Sequence, residues 1–271
     1  MSGLLKADLY RILKSKLTIV ALILCVAFPF FIALLYFGLN QLFRIDGAEE
    51  LLDTSIYTAN SMLSGAYSLT NNIGLILPVF AGIYITMDIS NGTIRNKVIV
   101  GKTRTEIYLS HLFTSMIFLV VSITVYVAFT LAFGLLFFKF VEFEDMTRNL
   151  VYFFVTGTMT FAFMATVVTF FALTTKNTAL TIILSVAFPM LLAIIPTVFS
   201  FIDYEKYKAL VYFIPTFSNA NTTIAPASIL DLLGSRGMND QLFYEGIASC
   251  VFFGVLNTVL GCLIFNKKDM K

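Results

Sequence analysis

Residues 107–138 read IYLSHLFTSMIFLVVSITVYVAFTLAFGLLFF, a stretch without one Asp, Glu, Lys or Arg. A helix of about 20 residues already crosses a hydrocarbon core of about 30 Å, and this stretch is longer. A helix on a water-soluble domain carries charge along its outer face. This one has no charge to place there, so its outer face meets lipid. Working outward, five further apolar runs occupy 17–39, 67–87, 150–174, 179–199 and 247–265. The 18 Lys/Arg and 16 Asp/Glu all fall between or beside the six runs. The pattern predicts an all-α integral membrane protein with six transmembrane helices.

The runs use most of a chain of 271 residues that is 58% hydrophobic, with a mean hydropathy of +0.88. No separate soluble domain fits in the remainder, so 1–271 is expected to form one transmembrane domain. If the N-terminus is inside, segments 1–16, 88–106, 175–177 and 266–271 hold 12 basic residues. The outer segments 40–66, 139–149 and 200–246 then hold 6. Lys and Arg favour the inner side, which predicts a multi-pass membrane protein with both termini cytoplasmic.

Segment 1–16 places Leu5, Leu9 and Ile12 on one helical face among Lys6, Arg11 and Lys14. It is expected to lie as an amphipathic helix on the inner membrane surface. The run after it is too long for a signal peptide and lacks an A-x-A site, so it reads as an uncleaved anchor. The outer segment 200–246 exceeds a simple turn and is expected to carry short helices before the last span. The cysteines Cys25, Cys250 and Cys262 lie in or at the edge of spans, where no structural disulfide is expected.

Several chemistries are disfavoured. No Asp, Glu, Lys or Arg lies inside a run, whereas proton-coupled carriers and intramembrane hydrolases need reactive or ionisable groups at depth. The single histidine, His111, falls one turn into the third span and reads as a polar anchor. Gly101-Lys102-Thr103 resembles the tail of a phosphate-binding loop, but Asn96 stands where its first glycine belongs. The chain is therefore expected to hold no ATP or magnesium itself, and no nucleic acid. It is either a passive element or one driven by another protein.

Between the second and third runs, Asn91-Gly92 favours a turn and Thr93 can cap a short helix in which Ile94 and Val98 alternate with Arg95 and Lys97. Gly101 ends that helix, and Thr103 or Thr105 can cap the next. The string Asp88, Gly92-Thr93-Ile94-Arg95-Asn96-Lys97, Gly101, Thr103-Arg104 and Ile107-Tyr108-Leu109-Ser110 resembles the first cytoplasmic loop of bacterial ABC-2 type permeases, the membrane subunits of ATP-binding-cassette exporters. The basic lead-in, six spans, minimal turn after span four and large outer loop before span six extend the likeness over the whole chain.

The resemblance implies a permease that dimerises, with an identical copy or a paralogue, and works with separate ATPase subunits that hold ATP and magnesium. It implies that 88–106 is the coupling loop, docking through Asp88, Gly92, Thr93, Ile94, Arg95, Asn96, Lys97, Gly101 and Arg104, with Lys176 and Asn177 as a smaller contact. It also implies that spans two and five line the pathway, around Asn71, Asn72, Pro78, Phe80, Phe188, Pro189 and Ile194. That surface is mostly apolar and suits amphipathic or hydrophobic cargo, with peptide or antimicrobial export the family expectation. The competing reading is a membrane anchor or regulator that binds a cytoplasmic partner and moves nothing.

Two faces of small residues, Thr158, Ala162, Thr166, Thr169 and Ala172 in span four and Cys250, Gly254, Thr258 and Cys262 in span six, are expected to pack inside the bundle. The basic bias carries the topology. Single cysteines introduced at Ser90 and Asp46 should label from opposite sides of intact cells, Ser90 being protected from an impermeant reagent. Labelling of Ser90 from outside would overturn the orientation.

Overall fold

The computed structural model describes residues 2–45, 58–70, 72–138, 140, 145–212, 215 and 240–267. Among them every regular element is helical. A short α1 (Ser2–Leu13) precedes the first span, α2 (Lys16–Ile45). A one-and-a-half-turn α3 (Ala59–Ser64) leads to the second, α4 (Asn72–Ser90). A second short helix, α5 (Thr93–Ile99), joins it to α6 (Arg104–Phe137), followed by α7 (Met146–Thr175), α8 (Thr178–Tyr212) and α9 (Asp240–Lys267). Six of these, α2, α4, α6, α7, α8 and α9, are long and apolar enough to cross a membrane.

The second span starts later than its hydropathy suggests. Residues 67–70 form turns, and the helix begins at Asn72. The apolar character of that stretch serves packing instead. The Tyr67 ring is buried edge-on against Phe153, with centroids 5.2 Å apart. A Cβ on Gly157 would sit 2.3 Å from that ring, so only glycine admits it there. Asn71 lies outside the described residues, as do 213–214 and 216–239, most of the segment in which short outer helices are expected.

Helix ends follow local chemistry. Thr103 accepts from the Glu106 backbone N–H while the Glu106 carboxylate accepts from the N–H of Thr103, a reciprocal cap for α6. Asn177 Oδ1 accepts from the Ala179 N–H at 2.9 Å and starts α8. Lys176 closes α7 in the left-handed region at φ 56.

The centre of the bundle is α7, which touches α4, α6, α8 and α9. Lipid supplies no hydrophobic drive between helices, so close approach of small residues has to. Of the span-four face, Ala162, Thr166, Thr169 and Ala172 are buried, and Thr158 is half-buried. The facing set from α9 meets it, Thr160 Oγ1 lying 3.8 Å from Cys250 Sγ. Between α6 and α7, the Ser115 and Thr169 hydroxyls pair at 2.9 Å. Ser115, like Thr114 and Thr130, also donates back to a carbonyl of its own helix. The outer helices α2, α8 and α9 expose Phe31, Leu35, Ile183, Leu191, Val255 and Leu263, as lipid-facing surfaces do. The three cysteines are free thiols.

Candidate functional site

At the end of the bundle that carries α1 and α5, four helices converge on a buried ionic cluster. Asp8 on α1 is 1% exposed and Asp88, in the last turn of α4, is 4% exposed. Asp8 Oδ1 accepts from Lys97 Nζ of α5 at 2.7 Å and from Arg11 Nη2 at 3.1 Å. Its second oxygen accepts from Ser110 Oγ of α6 at 2.6 Å. Arg11 Nη2 also donates to Asp88 Oδ2, and Arg11 Nε to the Tyr84 hydroxyl at 3.3 Å. That hydroxyl in turn donates to the Asp8 carbonyl at 3.0 Å.

His111 completes the cluster. Its ring is fully buried, with Nε2 at 3.4 Å from Lys97 Nζ and 3.6 Å from Asp88 Oδ2. An ammonium can only donate, so the facing ring accepts at Nε2 and carries its proton on Nδ1. Nδ1 has no partner among the described residues.

With a neutral imidazole the charges balance, two carboxylates against Arg11 and Lys97. That balance makes burial tolerable, because an isolated charge out of water is expensive and a hydrogen-bonded pair much less so. Burial by itself pushes the Asp8 carboxyl up. The hydrogen bonds from Lys97 and Ser110 and the Lys97 charge outweigh it and hold the group below its ordinary 3.8. The stabilisation from Asp8 is therefore complete above that ordinary value and fades as pH falls through the lowered one.

This geometry sorts the loop residues. Gly92 turns the chain from α4 into α5 at φ 70, and Gly101 leaves α5 at φ 91, both in the left-handed region that favours glycine. Thr93 is the first residue of α5 and makes no side-chain cap. Ile94 is buried beneath the helix. Lys97, read from sequence beside Arg95 as a docking charge, turns inward and is 11% exposed. Asp88 likewise faces the protein rather than a partner. Arg104 Nη1 donates to the Asn266 carbonyl at 2.9 Å, tying the start of α6 to the end of α9.

Left on the outer face of α5 are Arg95 and Asn96, with Ile99 73% and Val100 79% exposed beyond them. Arg95 forms no hydrogen bond or ion pair with any described residue. Asn177 is exposed at the α7–α8 turn beside half-buried Lys176.

The expected pathway residues separate by depth. Pro78 and Pro189 are buried within continuous helices, whereas Phe80 and Phe188 are half-buried. Asn72 is exposed at the start of α4 and Ile194 is 55% exposed on α8. Phe188 lines an apolar cavity of about 280 Å³ with Phe163, Phe253 and the amide of Asn257.

Sequence reasoning missed Asp8, Arg11, Tyr84 and Ser110, and it placed α4's charge outside the span. A signal for Asp8 was present. It stands three residues after Leu5 and four before Ile12, so the one acid of the N-terminal helix sits on its apolar face. An acid there is stable only if a buried partner meets it.

A sequence profile described as ABC-2 family transporter protein matches residues 4–192, from α1 into the first half of α8. No curated protein matches the chain.

The cluster predicts a coupling signature. Asp8→Ala leaves Lys97 without its close partner, and it should cost on the order of 3 kcal/mol. Asp8→Asn combined with Lys97→Met removes both charges and should recover most of that loss. Thermal unfolding of the purified variants checks this, and a single variant costing no more than the double would show the pair to be incidental.

Proposed function

The chain belongs to the ABC-2 family of transporter proteins, membrane components of ABC transporters distinct from the ATPase, and from that premise we propose that it is the permease half of an exporter. Two permease chains, identical or paralogous, complete the pathway in the bacterial cytoplasmic membrane. Cytoplasmic ATPase subunits bind beneath them and hold ATP and magnesium. Both termini and α5 face the cytoplasm.

The observation that carries this reading is the two-sided character of α5. Its outer side offers a cation without a partner among the described residues, Arg95, followed by exposed Ile99 and Val100. Its inner side is fastened by Ile94 and Lys97. A helix that only marked topology would need neither a buried anchor nor an apolar exposed end. A partner groove with an acidic rim and an apolar floor fits the outer side.

Force applied to α5 has a defined exit. Lys97 passes it to Asp8 on α1, Arg11 and Asp88 pass it to α4, and Ser110 passes it to α6. On this reading α1 and α5 travel as one unit when the ATPase closes, and α4 and α6 respond at their ends. The cargo is amphipathic or hydrophobic. Supporting this are the cavity around Phe188, whose one amide is Asn257, and the absence of any charged residue along its lining.

Arg95→Glu tests the docking role. It should weaken co-purification with the ATPase on the order of tenfold, or uncouple ATP turnover from transport, because a like-charge contact at a docking rim is strongly unfavourable. Lys6→Glu makes the same charge change on exposed α1 and should leave both intact. An Arg95 variant that assembles and transports as well as the Lys6 variant would reduce the loop to a topological signal.

A further inference from the structure

Beside the ionic cluster, a cavity of about 660 Å³ opens between α1 and the end of α4. It holds a surplus of positive charge. Asp8 and Asp88 are balanced by Arg11 and Lys97, whereas Lys14 meets no carboxylate among the described residues. Lys14 lies with Nζ 4.7 Å from the centre of the Tyr10 ring. Asp88 also lines the cavity, but its charge is met by Arg11.

The cavity also collects unused donors. Arg11 spends Nε and Nη2 on Tyr84, Asp8 and Asp88, and its Nη1 bonds no described residue. The Asn91 amide and Thr93 hydroxyl, on either side of Gly92, have no partner among the described residues either. Lys14, Arg11 and Thr93 thus present cationic and hydroxyl donors to one space, the set that a phosphate oxygen cluster accepts.

The rim is apolar. Tyr10 is 62% and Met87 46% exposed along the cavity, and Leu13 is 61% exposed close by on α1. The first span begins at Lys16, two residues after Lys14, which puts the cavity at the depth of the headgroups. A free anion would have no use for that rim, whereas a phosphate carrying glycerol and acyl chains lays them along it.

We propose that this cavity binds the phosphodiester headgroup of an anionic lipid, with Lys14, Arg11 Nη1 and Thr93 donating to the phosphate and Tyr10 and Met87 contacting the first carbons of its chains. On the cytoplasmic orientation proposed above, the lipid is one of the inner leaflet. Bound there, it braces α1 against the Gly92 turn from which α5 departs.

The test uses the full-length chain in detergent, where neither membrane orientation nor ATPase docking enters. Retention of phosphatidylglycerol, phosphatidylcholine and inorganic phosphate is compared by native mass spectrometry. Phosphatidylglycerol should bind tightest, and inorganic phosphate should neither bind comparably nor displace it. Lys14→Gln with Thr93→Val should weaken phosphatidylglycerol at least about fivefold, and Lys14→Arg should restore it. Lys6→Gln, elsewhere on α1, should change it less than about twofold. Unchanged unfolding temperature of the double variant without added lipid confirms that its fold is intact. Should that variant fail to fold, Asn91→Ala replaces it and should weaken binding in the same way. Equal retention of phosphatidylcholine, or wild-type affinity in the double variant, would overturn the site. Equal binding of inorganic phosphate would overturn its assignment to a lipid.

Discussion

A carboxylate that is almost fully buried stays ionised only where donors surround it, and Asp8 obtains those donors from its own helix and from two others. Arg11 comes from its own helix, Lys97 from α5 and Ser110 from α6. Asp88 and Arg11 extend the set to α4. One group therefore holds the relative positions of α1, α4, α5 and α6. Any rearrangement that separated them would strand a charge in a nearly dry space, at a cost exceeding that of most single contacts. This makes the end of the bundle stiff where a permease must receive force from a soluble partner.

The remainder of the bundle is built on a different economy. Within lipid, apolar burial contributes little to helix association, and α7 draws its neighbours in through threonine, alanine and glycine. Gly157 admits Tyr67, and Gly261 admits Tyr108, whose hydroxyl would lie 2.0 Å from a Cβ at that position. These contacts fix distance without requiring charge. They leave the outer faces of α2, α8 and α9 free to meet lipid or a second copy of the chain.

The six spans were legible because lipid imposes a rule on every residue of a run, and the 107–138 stretch obeys it throughout. A threonine cap for α6 was legible for a similar reason, since capping is decided within four residues, and of Thr103 and Thr105 the structure uses Thr103. The start of the second span was not, because hydropathy cannot distinguish Tyr67 buried under a turn from Tyr67 inside a span. Lys97 and Asp88 were assigned outward from their neighbours in sequence, while their partners Asp8 and Arg11 lie some eighty or more positions away. Asp8 was the informative exception, an acid on an apolar helical face. Two further calls, Asn71 and most of 200–246, fall outside the described residues.

The central claim is that α1 and α5, the proposed coupling helix, move as one body, and interspin distances test it directly. Spin labels at Lys6 and at Lys102, whose backbone N–H is bonded to the Lys97 carbonyl at the end of α5, report the α1–α5 separation. A second pair, at Lys102 and Thr147 near the start of α7, reports the movement of α5 against the far end of the bundle. Both are measured on the assembled transporter, with and without a non-hydrolysed nucleotide. The account predicts that the first distance stays constant while the second changes. A first distance that changes as much as the second would contradict it.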